Sequence, residues 1–448
     1  MADTTVAVRM YNVGFGDAFV VTVRHGEARW KMLVDCGVHS HGRARPIEES
    51  VDAIVADLKA DSADGVPHLD VVVATHHHAD HISGFALDAW DQVTVGEVWV
   101  PYVEDENDPD GKRLRETQTA TAQRLLGLIE RRTAKMDPGA RPLDVVTAKS
   151  FAMNSFGNAD ATDRLLSRNG LGFATKPAIR YLPSTDPAKN VVETTIPDVV
   201  ARVLGPSRDP DQLKRMNPPK NAGWLRLDGD DEDDGDDLPA LFNDAFVAKS
   251  TDDLPDELTK AERTLRLDKI TNDDGVLAAA SILERSVNNT SLFFVLDVMG
   301  TKLLFPGDAQ QGAWDHVLDD AESLALVRDV AFYKIAHHGS HNATPKRYVE
   351  EVLVDGARAM LPWGLVKRWE KTIPKTELLD ALAAHHHDVT RADAPVAEEG
   401  HVVVHEDLWS EVTFTVPERP TVIRRGQGTG AVQVGSAQTT LAAGIQLP

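Results

Sequence analysis

The chain has 448 residues, of which 42% are hydrophobic, enough for a sizeable core in one large domain or in several smaller ones. Its formal net charge of −23 at pH 7 argues against a general phosphate-binding surface, so any attraction for nucleic acid must come from bound metal ions and a few local cations. The sequence has no apolar run of membrane-spanning length, does not begin as a signal peptide does, and has a single cysteine, Cys36, so we expect a cytoplasmic protein without disulfides or membrane contact.

Three strands are predicted near the start of the chain, over residues 5–10, 18–23 and 31–34. A turn with two glycines joins the first two strands and ends at Asp17, and the third strand is followed directly by Asp35. Glycine permits the close backbone approach that such a turn needs. Taken alone, the two aspartates are unremarkable turn residues.

The segment over residues 70–85 holds the strongest functional signal. It begins with a continuous apolar run, which is typical of a strand buried on both faces. The run ends in four side chains of metal-ligating type, which are His76, His78, Asp80 and His81. Imidazole and carboxylate groups suit zinc, manganese or iron. The two histidines at the strand end can hold one ion, and Asp80 and His81 on the following turn can point at a second.

The pattern T-H-x-H-x-D-H-x-x-G, which begins at Thr75, resembles the signature of the metallo-β-lactamase-fold hydrolases. This resemblance implies an α/β fold, the αββα four-layer sandwich, here with a large insertion. It also implies two divalent metal ions, zinc or manganese, with magnesium as a further candidate.

The turn V-G-x-G-D-A and the strand end L-V-D-C-G resemble the opening of the ComEC-type branch, hydrolase domains attached to bacterial DNA-uptake channels. In that branch the residue at the position of Asp35 lies under the metal-binding loop and orients a ligand. The resemblance places Asp17 at the rim of the site, as a supporting residue or possible ligand.

Two further motifs lie in the second half of the chain. A hairpin is predicted over residues 291–305, and Asp308 follows it after a Pro-Gly pair, while a buried strand over residues 330–336 ends in His337 and His338. The resemblance implies that Asp308 bridges the two ions, that His338 is a ligand, and that His337 beside it faces the substrate. The sequence itself does not separate the two histidines, because adjacent side chains at a strand end point in different directions.

One departure from the family pattern concerns the first ion. No histidine lies between His81 and His316, although many enzymes of this fold have a further histidine ligand in that interval. Asn288 is predicted to offer its amide oxygen to the ion or to its water, with Asn289 as the alternative. Oxygen in place of nitrogen would favour manganese or magnesium.

A second departure lies between residues 361 and 377. Ile373 holds the place of a histidine that the family often has before the next helix. Lys367 and Arg368 are predicted to supply the phosphate-binding cations that the acidic surface lacks. The alternative, two solvated cations near Glu370, stays open.

The chain is predicted to have four parts. Residues 1–206 and 287–420 are the N-terminal and C-terminal halves of the fold. Residues 207–286 are an insertion with an acidic run at 228–237, predicted to be a lid, a subdomain or a partner-binding element. Residues 421–448 are predicted to be a flexible tail with enough apolar residues to become ordered on a protein partner.

The motifs predict a metal-dependent hydrolase, first of all a phosphodiesterase or nuclease that attacks a nucleic acid or nucleotide with a metal-activated water at a dinuclear site. Asp80, Asp308 and His337 are the predicted catalytic residues, with His337 assisting the leaving oxygen. Hydrolysis of an ester, lactone or thioester stays open, because the ligand motif does not define the substrate. A third interpretation is a metal-binding subunit of a multiprotein complex, active only with a partner.

Overall fold

Two mixed β-sheets form the centre of the protein. The computed structural model describes residues 4–156, 158–219, 223–224, 273–367 and 369–416. The predicted acidic run, the predicted tail and Arg368 lie outside the described residues.

The strands are numbered along the described chain. They are β1 Thr4–Tyr11, β2 Ala18–His25, β3 Ala28–Cys36, β4 His68–Val73, β5 Thr94–Pro101, β6 Ala178–Leu182, β7 Val191–Glu193, β8 Val199–Gly205, β9 Phe293–Val298, β10 Thr301–Phe305, β11 Phe332–Lys334, β12 Arg358–Leu361, β13 Asp388–Arg391, β14 Val402–His405 and β15 Trp409–Val416.

The α-helices of the described residues are α1 Ile47–Ala60, α2 Ala79–Ile82, α3 Pro109–Thr133, α4 Leu143–Phe156, α5 Ala159–Leu165, α6 Pro210–Leu213, α7 Asp273–Asn288, α8 Gln311–Asp319, α9 Ala321–Arg328 and α10 Thr376–Ala384. A π-helical turn spans Tyr348–Val352. Short 3₁₀ turns span Ser83–Ala86, Asp88–Gln92, Tyr102–Glu104, Pro138–Ala140, Pro187–Asn190 and Ala336–Gly339.

The first sheet has the strand order β14-β15-β1-β2-β3-β4-β5-β6, and the second has the order β13-β12-β11-β10-β9-β8-β7. Strands β3 to β6 are parallel to one another, as are β10 to β13, and the remaining pairs are antiparallel. Parallel strands have both faces covered, which explains the unbroken apolar run of β4.

The two sheets share one apolar core, and helices cover their other faces. Val73 of the first sheet and Leu296 of the second belong to the core between the sheets. Val51 of α1 packs on the outer face of the first sheet, and Trp314 of α8 packs on the outer face of the second. The predicted αββα sandwich is therefore confirmed.

The topology brings the sequence motifs to one place. β10 and β11 are parallel neighbours, so the residues that follow them meet at the same edge of the second sheet. The loop after β4 reaches this edge, because Leu292 N donates a hydrogen bond to Thr75 O at 2.8 Å. The motifs after β4, β10 and β11 consequently converge.

A cluster of three helices lies beside this edge. Side chains of α3, α4 and α7 form a separate apolar core, for example Leu125, Ala152 and Ala280. The sequence predicts a helix over residues 114–136, but α3 begins five residues earlier, because the Asp108 carboxylate caps it by accepting from two backbone N–H groups. No helix in the described part of the chain is both long and apolar enough to cross a membrane.

Candidate metal centre

Residues 74–81, here called the metal loop, lead from β4 into the first turn of α2. β4 ends at Val73, and His76 and His78 follow on the loop. Asp80 and His81 lie on the first turn of α2. All four side chains are buried, so each needs a partner for its polar atoms.

Four predicted ligands form one cluster, which contains Asp80, His81, Asp308 and His338. Their ligand atoms all lie within 4.8 Å of one another. His81 Nε2 is 3.1 Å from Asp308 Oδ2, and His338 Nε2 is 3.4 Å from Asp80 Oδ2 and 3.9 Å from Asp308 Oδ2. Atoms bound to a tetrahedral zinc at about 2.0–2.2 Å lie roughly 3.4 Å apart. The cluster has the spacing of a metal site.

The electrostatics of the cluster also fit a cation. His338 Nδ1 donates to Pro362 O at 2.7 Å, so a neutral ring has a lone pair on Nε2. That nitrogen is buried and has no hydrogen-bond partner among the described residues, and it faces Asp80. Burial lowers the pKa of His81, but the charges of surrounding aspartates outweigh burial and raise it well above its usual value. A positive charge, as protons or as a metal ion, belongs among these groups.

Asp35 lies beneath His81. Its Oδ2 is 2.8 Å from His81 Nδ1, and its Oδ1 accepts from Thr75 N at 2.7 Å. Asp35 itself has φ 57°, a left-handed conformation that is uncommon outside glycine. A carboxylate on the far ring nitrogen directs Nε2 at the cluster and makes the imidazole a better metal ligand.

Asp17 lies below the cluster and not at its rim as predicted. Its side chain is only 1% exposed, because Asp17 N donates to Asp80 O at 2.9 Å and so draws the glycine turn under α2. Its Oδ2 is 3.6 Å from His81 Nδ1 and 2.6 Å from Lys334 Nζ.

Lys334 is a buried cation that the sequence analysis missed. Its Nζ donates to Gly307 O at 3.0 Å and lies 3.2 Å from Asp308 Oδ1. Burial lowers the pKa of Lys334, but Asp17 and Asp308 outweigh burial and raise it above its ordinary value. The sequence feature that could have indicated this buried cation is the single lysine inside the apolar run over residues 330–336.

His76 and His78 form a pair beside the cluster. His76 Nε2 faces His78 Nδ1 at 3.0 Å, so the two nitrogens either share one proton or direct both lone pairs at one cation. Ser291 Oγ links this pair to the cluster, since it contacts His76 Nδ1 at 3.2 Å and accepts from Asp308 N at 3.1 Å. Within the described residues, the pair is not part of a compact group of three or more His, Cys, Asp or Glu ligands.

Asn288 and His337 lie at the cavity side of the cluster. Asn288 Nδ2 is 3.3 Å from His337 Nε2, and Asn288 Oδ1 is buried without a hydrogen-bond partner in the described chain. His337 Nε2 is 3.9 Å from Asp308 Oδ2. Burial lowers the pKa of His337 to about 4.

The two histidines after β11 and the glycine that follows them form three successive left-handed residues. His337, His338 and Gly339 have φ values of 43°, 52° and 78°. This conformation is strained for residues with a Cβ atom, and such strain persists only where the surroundings hold it. The sharp turn sends His338 into the cluster and leaves His337 lining the cavity.

Helix α4 holds the metal loop from its other side. Asn154 Oδ1 accepts from Ala79 N at 3.0 Å, and Asn154 Nδ2 donates to Asp80 Oδ1 at 3.2 Å. Ser155 Oγ is 3.1 Å from His78 Nε2. Residues 140–198 have no clear periodic pattern in the sequence, so these contacts could not be predicted from it.

Glu104 fixes the middle of the metal loop. Its Oε1 is 3.0 Å from Nδ1 of His77, and its Oε2 is 3.8 Å from an Arg115 nitrogen. Burial raises the pKa of Glu104, but the hydrogen bond and charge of His77, together with Arg115, outweigh burial and lower it.

The two carboxylates of the cluster and His78 are in the protonation states that bind metal, whereas the neighbouring aspartates raise the pKa values of His81 and His338, which must lose a proton when an ion binds. Burial raises the pKa of Asp308, but His81 and other cations outweigh burial and hold it well below its usual range. Burial also raises the pKa of Asp80, but His338, whose Nε2 is 3.4 Å from Oδ2, and His81 outweigh burial and hold it well below its usual range. Burial lowers the pKa of His78 to about 3. Ionised carboxylates and neutral imidazoles are the forms that bind metal ions.

A cavity of about 370 Å³ opens beside the cluster. Its lining includes Asp80 and His337, residues of α4 and α7, and Trp369. Candidate metal ligands that line a cavity of this size are the arrangement expected of a catalytic site.

Residues 11–129 match the family model of the metallo-beta-lactamase superfamily. The match includes the metal loop and ends within α3, whereas Asp308 and His338 lie beyond it. Members of this superfamily are generally hydrolases, and their fold implies divalent metal ions. The match does not distinguish the ComEC-type branch. No curated protein gives a significant match to this chain.

Lys367, one of the two cations predicted to bind phosphate, is not at the candidate metal centre, and Arg368 lies outside the described residues. Lys367 is exposed and does not line the cavity, because the chain there packs Val366 inward and turns its neighbours outward. Among the described residues, Arg285 of α7 is the lysine or arginine that lines the cavity. The sequence offered little signal for it, since Arg285 lies in an ordinary amphipathic helix pattern.

Proposed function

We propose that this protein is a metal-dependent phosphodiesterase whose ions bind at the cluster of Asp80, His81, Asp308 and His338. The observation that carries the proposal is the cluster itself, two carboxylates and two imidazoles at ligand spacing, buried and adjoining a cavity. A superfamily match over the loop that carries Asp80 and His81 supports it.

A second ion has candidate ligands in His76, His78 and Asn288 Oδ1. Divalent ions bound there would supply Lewis-acid chemistry and lower the pKa of a water molecule. Asp308 would help to hold the ions with its Oδ2 atom, since Lys334 occupies its Oδ1.

His337 is suited to proton handling beside the ions. Its Nε2 lies on the cavity side of Asp308, where it can hold a water molecule or a leaving oxygen by a hydrogen bond. The Ser340 hydroxyl, 3.2 Å from His337 Nδ1, orients the ring.

The charge of the site favours a phosphodiester over a neutral ester. With two divalent ions bound, the positive charge of the ions and Lys334 would be one unit larger than the negative charge of the four buried aspartates, which are Asp17, Asp35, Asp80 and Asp308. One surplus positive charge matches the single negative charge of a phosphodiester, whereas a neutral ester needs none.

The test is hydrolysis of bis-p-nitrophenyl phosphate with manganese, zinc or magnesium, beside Asp80→Ala and Asp308→Ala. Metal content is measured on each protein, and Asp211→Ala, which changes an exposed acid, is the control. We expect metal-dependent hydrolysis that both cluster variants lose and the control keeps.

Two outcomes would contradict the proposal. One is no phosphodiester hydrolysis by a protein shown to hold its ions. The other is hydrolysis of carboxylic esters, lactones or thioesters with none of phosphodiesters. Single-stranded and double-stranded DNA are included as substrates.

A further inference from the structure

One face of α7 lines the cavity. Leu277, Ser281 and Arg285 are spaced four residues apart, and Asn288 follows one turn later. Residues at this spacing lie on one face of a helix. The helix therefore presents an apolar, a hydroxyl, a cationic and an amide group to the cavity in that order toward the metal centre.

Arg285 is the residue of this face whose charged group is available to a ligand. Its side chain is half-buried, and no hydrogen-bond or ion-pair partner of its guanidinium exists among the described residues. The other cation of the site, Lys334, is fully engaged by Asp17 and Asp308. A partly desolvated guanidinium presents a planar fork of donors that fits carboxylate or phosphate oxygens.

Arg285 lies within reach of the reacting position. Asn288 is one helical turn further along, about 5–6 Å between Cβ atoms. Asn288 Nδ2 is 3.3 Å from His337 Nε2, which is itself 3.9 Å from Asp308 Oδ2. An anionic oxygen bound between Arg285 and the cluster is thus near the candidate ions.

The other cavity walls restrict the charge and shape of the ligand. Asp144 also lines the cavity, so additional negative charges on a ligand would be repelled. Phe151 and Trp369 also line the cavity, with nearly parallel rings whose centroids are 6.1 Å apart. A volume of about 370 Å³ is at the small end of ligand sites.

We propose that Arg285 determines specificity by binding the anionic oxygens of a small phosphodiester monoanion whose apolar or aromatic ester group packs on Phe151 and Trp369. This inference rests on the proposed function and narrows it, because the acidic walls and the net charge of −23 disfavour a polynucleotide.

The test measures binding of diphenyl phosphate to the manganese-loaded protein by calorimetry. Arg285→Ala removes the fork, and Arg285→Lys keeps the charge without it. Arg131→Ala, which changes an exposed arginine of α3, is the matched control. Metal content is measured for every variant, and long single-stranded DNA and the dianion phenyl phosphate are competitors.

We expect Arg285→Ala to weaken diphenyl phosphate binding by about tenfold or more with unchanged metal content, and Arg285→Lys to recover part of the loss. Arg131→Ala should bind as the wild type does, and neither competitor should displace diphenyl phosphate efficiently. Equal binding by Arg285→Ala, no binding by the wild type, or efficient displacement by DNA would overturn the inference.

The result that would contradict the proposed function differs from the results that would overturn this inference. Binding of diphenyl phosphate that depends on Arg285, in a protein that hydrolyses no phosphodiester with any metal, would support the anion site. The same result would contradict the phosphodiesterase.

Discussion

Lys334 places an ammonium group among the carboxylates of the metal centre. Its Nζ lies 2.6 Å from Asp17 Oδ2 and 3.2 Å from Asp308 Oδ1, and its side chain is almost fully buried. In the absence of metal ions it is a fixed counter-charge for Asp308. It also leaves only one oxygen of that carboxylate open to the cavity side of the cluster.

Replacing Lys334 with Met should lower the free energy of unfolding of the metal-free protein by about 3–5 kcal/mol, because two buried carboxylates lose their partner. Urea denaturation in the presence of a chelator measures this. Lys371→Met, at an exposed position, should change stability by no more than about 0.5 kcal/mol. A variant at Lys334 as stable as the control would show that the ammonium is not needed for charge balance.

Replacing Glu104 with Gln tests whether the negative charge of Glu104 stabilises the metal loop. The test is the pH dependence of the free energy of unfolding. The pKa of Glu104 is lowered in the folded protein, so its carboxylate contributes stability above its unfolded pKa, about 4.3, and this contribution is lost as the pH falls through the folded pKa. We expect a loss of about 1–3 kcal/mol at pH 7 that shrinks below about pH 4.3.

Urea denaturation at steps from neutral to acid pH measures the difference between the wild type and Glu104→Gln. Glu27→Gln, an exposed substitution, should show no such pH-dependent difference. A difference that stays constant with pH would contradict the charge argument.

At the scale of elements, the end of β3 packs directly on the start of α2. A Cβ atom added to Gly37 would lie 2.4 Å from Ala79 O and 2.5 Å from His81 N. Both contacts are with backbone, which cannot rotate away as a side chain can. The position of α2, which carries Asp80 and His81, therefore depends on the absence of a side chain at residue 37.

Gly37→Ala should lower the free energy of unfolding by about 1–3 kcal/mol and weaken metal binding, since α2 must shift and take His81 with it. Gly139→Ala is the matched control, because nothing lies within 4 Å of its added Cβ atom. Urea denaturation and metal titration measure both effects. Unchanged metal affinity in Gly37→Ala would show that α2 tolerates the shift.

Some elements could be predicted from sequence and others could not. The apolar run of β4 and the ligand spacing after it are local signals, and the structure brings Asp80 and His81 together with the predicted Asp308 and His338. α4 gave no clear signal, because much of its apolar surface packs on α3 and α7 and so has no simple one-sided pattern. The contacts of Asn154 with the metal loop, and the position of Arg285 at the cavity, depend on that packing.

At the scale of the whole molecule, each sheet takes strands from both of the predicted halves of the fold, residues 1–206 and 287–420. β14 and β15 complete the first sheet beside β1, and β7 and β8 join the second sheet beside β9. The sequence motifs predicted the sandwich, which is confirmed. They did not predict that strands of one half would join the sheet formed mainly by the other half. Pairing between strands far apart in sequence leaves no local pattern, so it could not be predicted from one sequence.

The pairing of β1 with β15 sets an order of events during synthesis. Thr4 is opposite Val416, so β1 cannot gain this partner until the ribosome has released nearly the whole described chain. Until then the edge of β1 offers unpaired backbone groups to other strands. A nascent chain of this protein therefore carries an open strand edge until β15 has been synthesised, and chaperone contact there would protect it from pairing with a neighbouring copy.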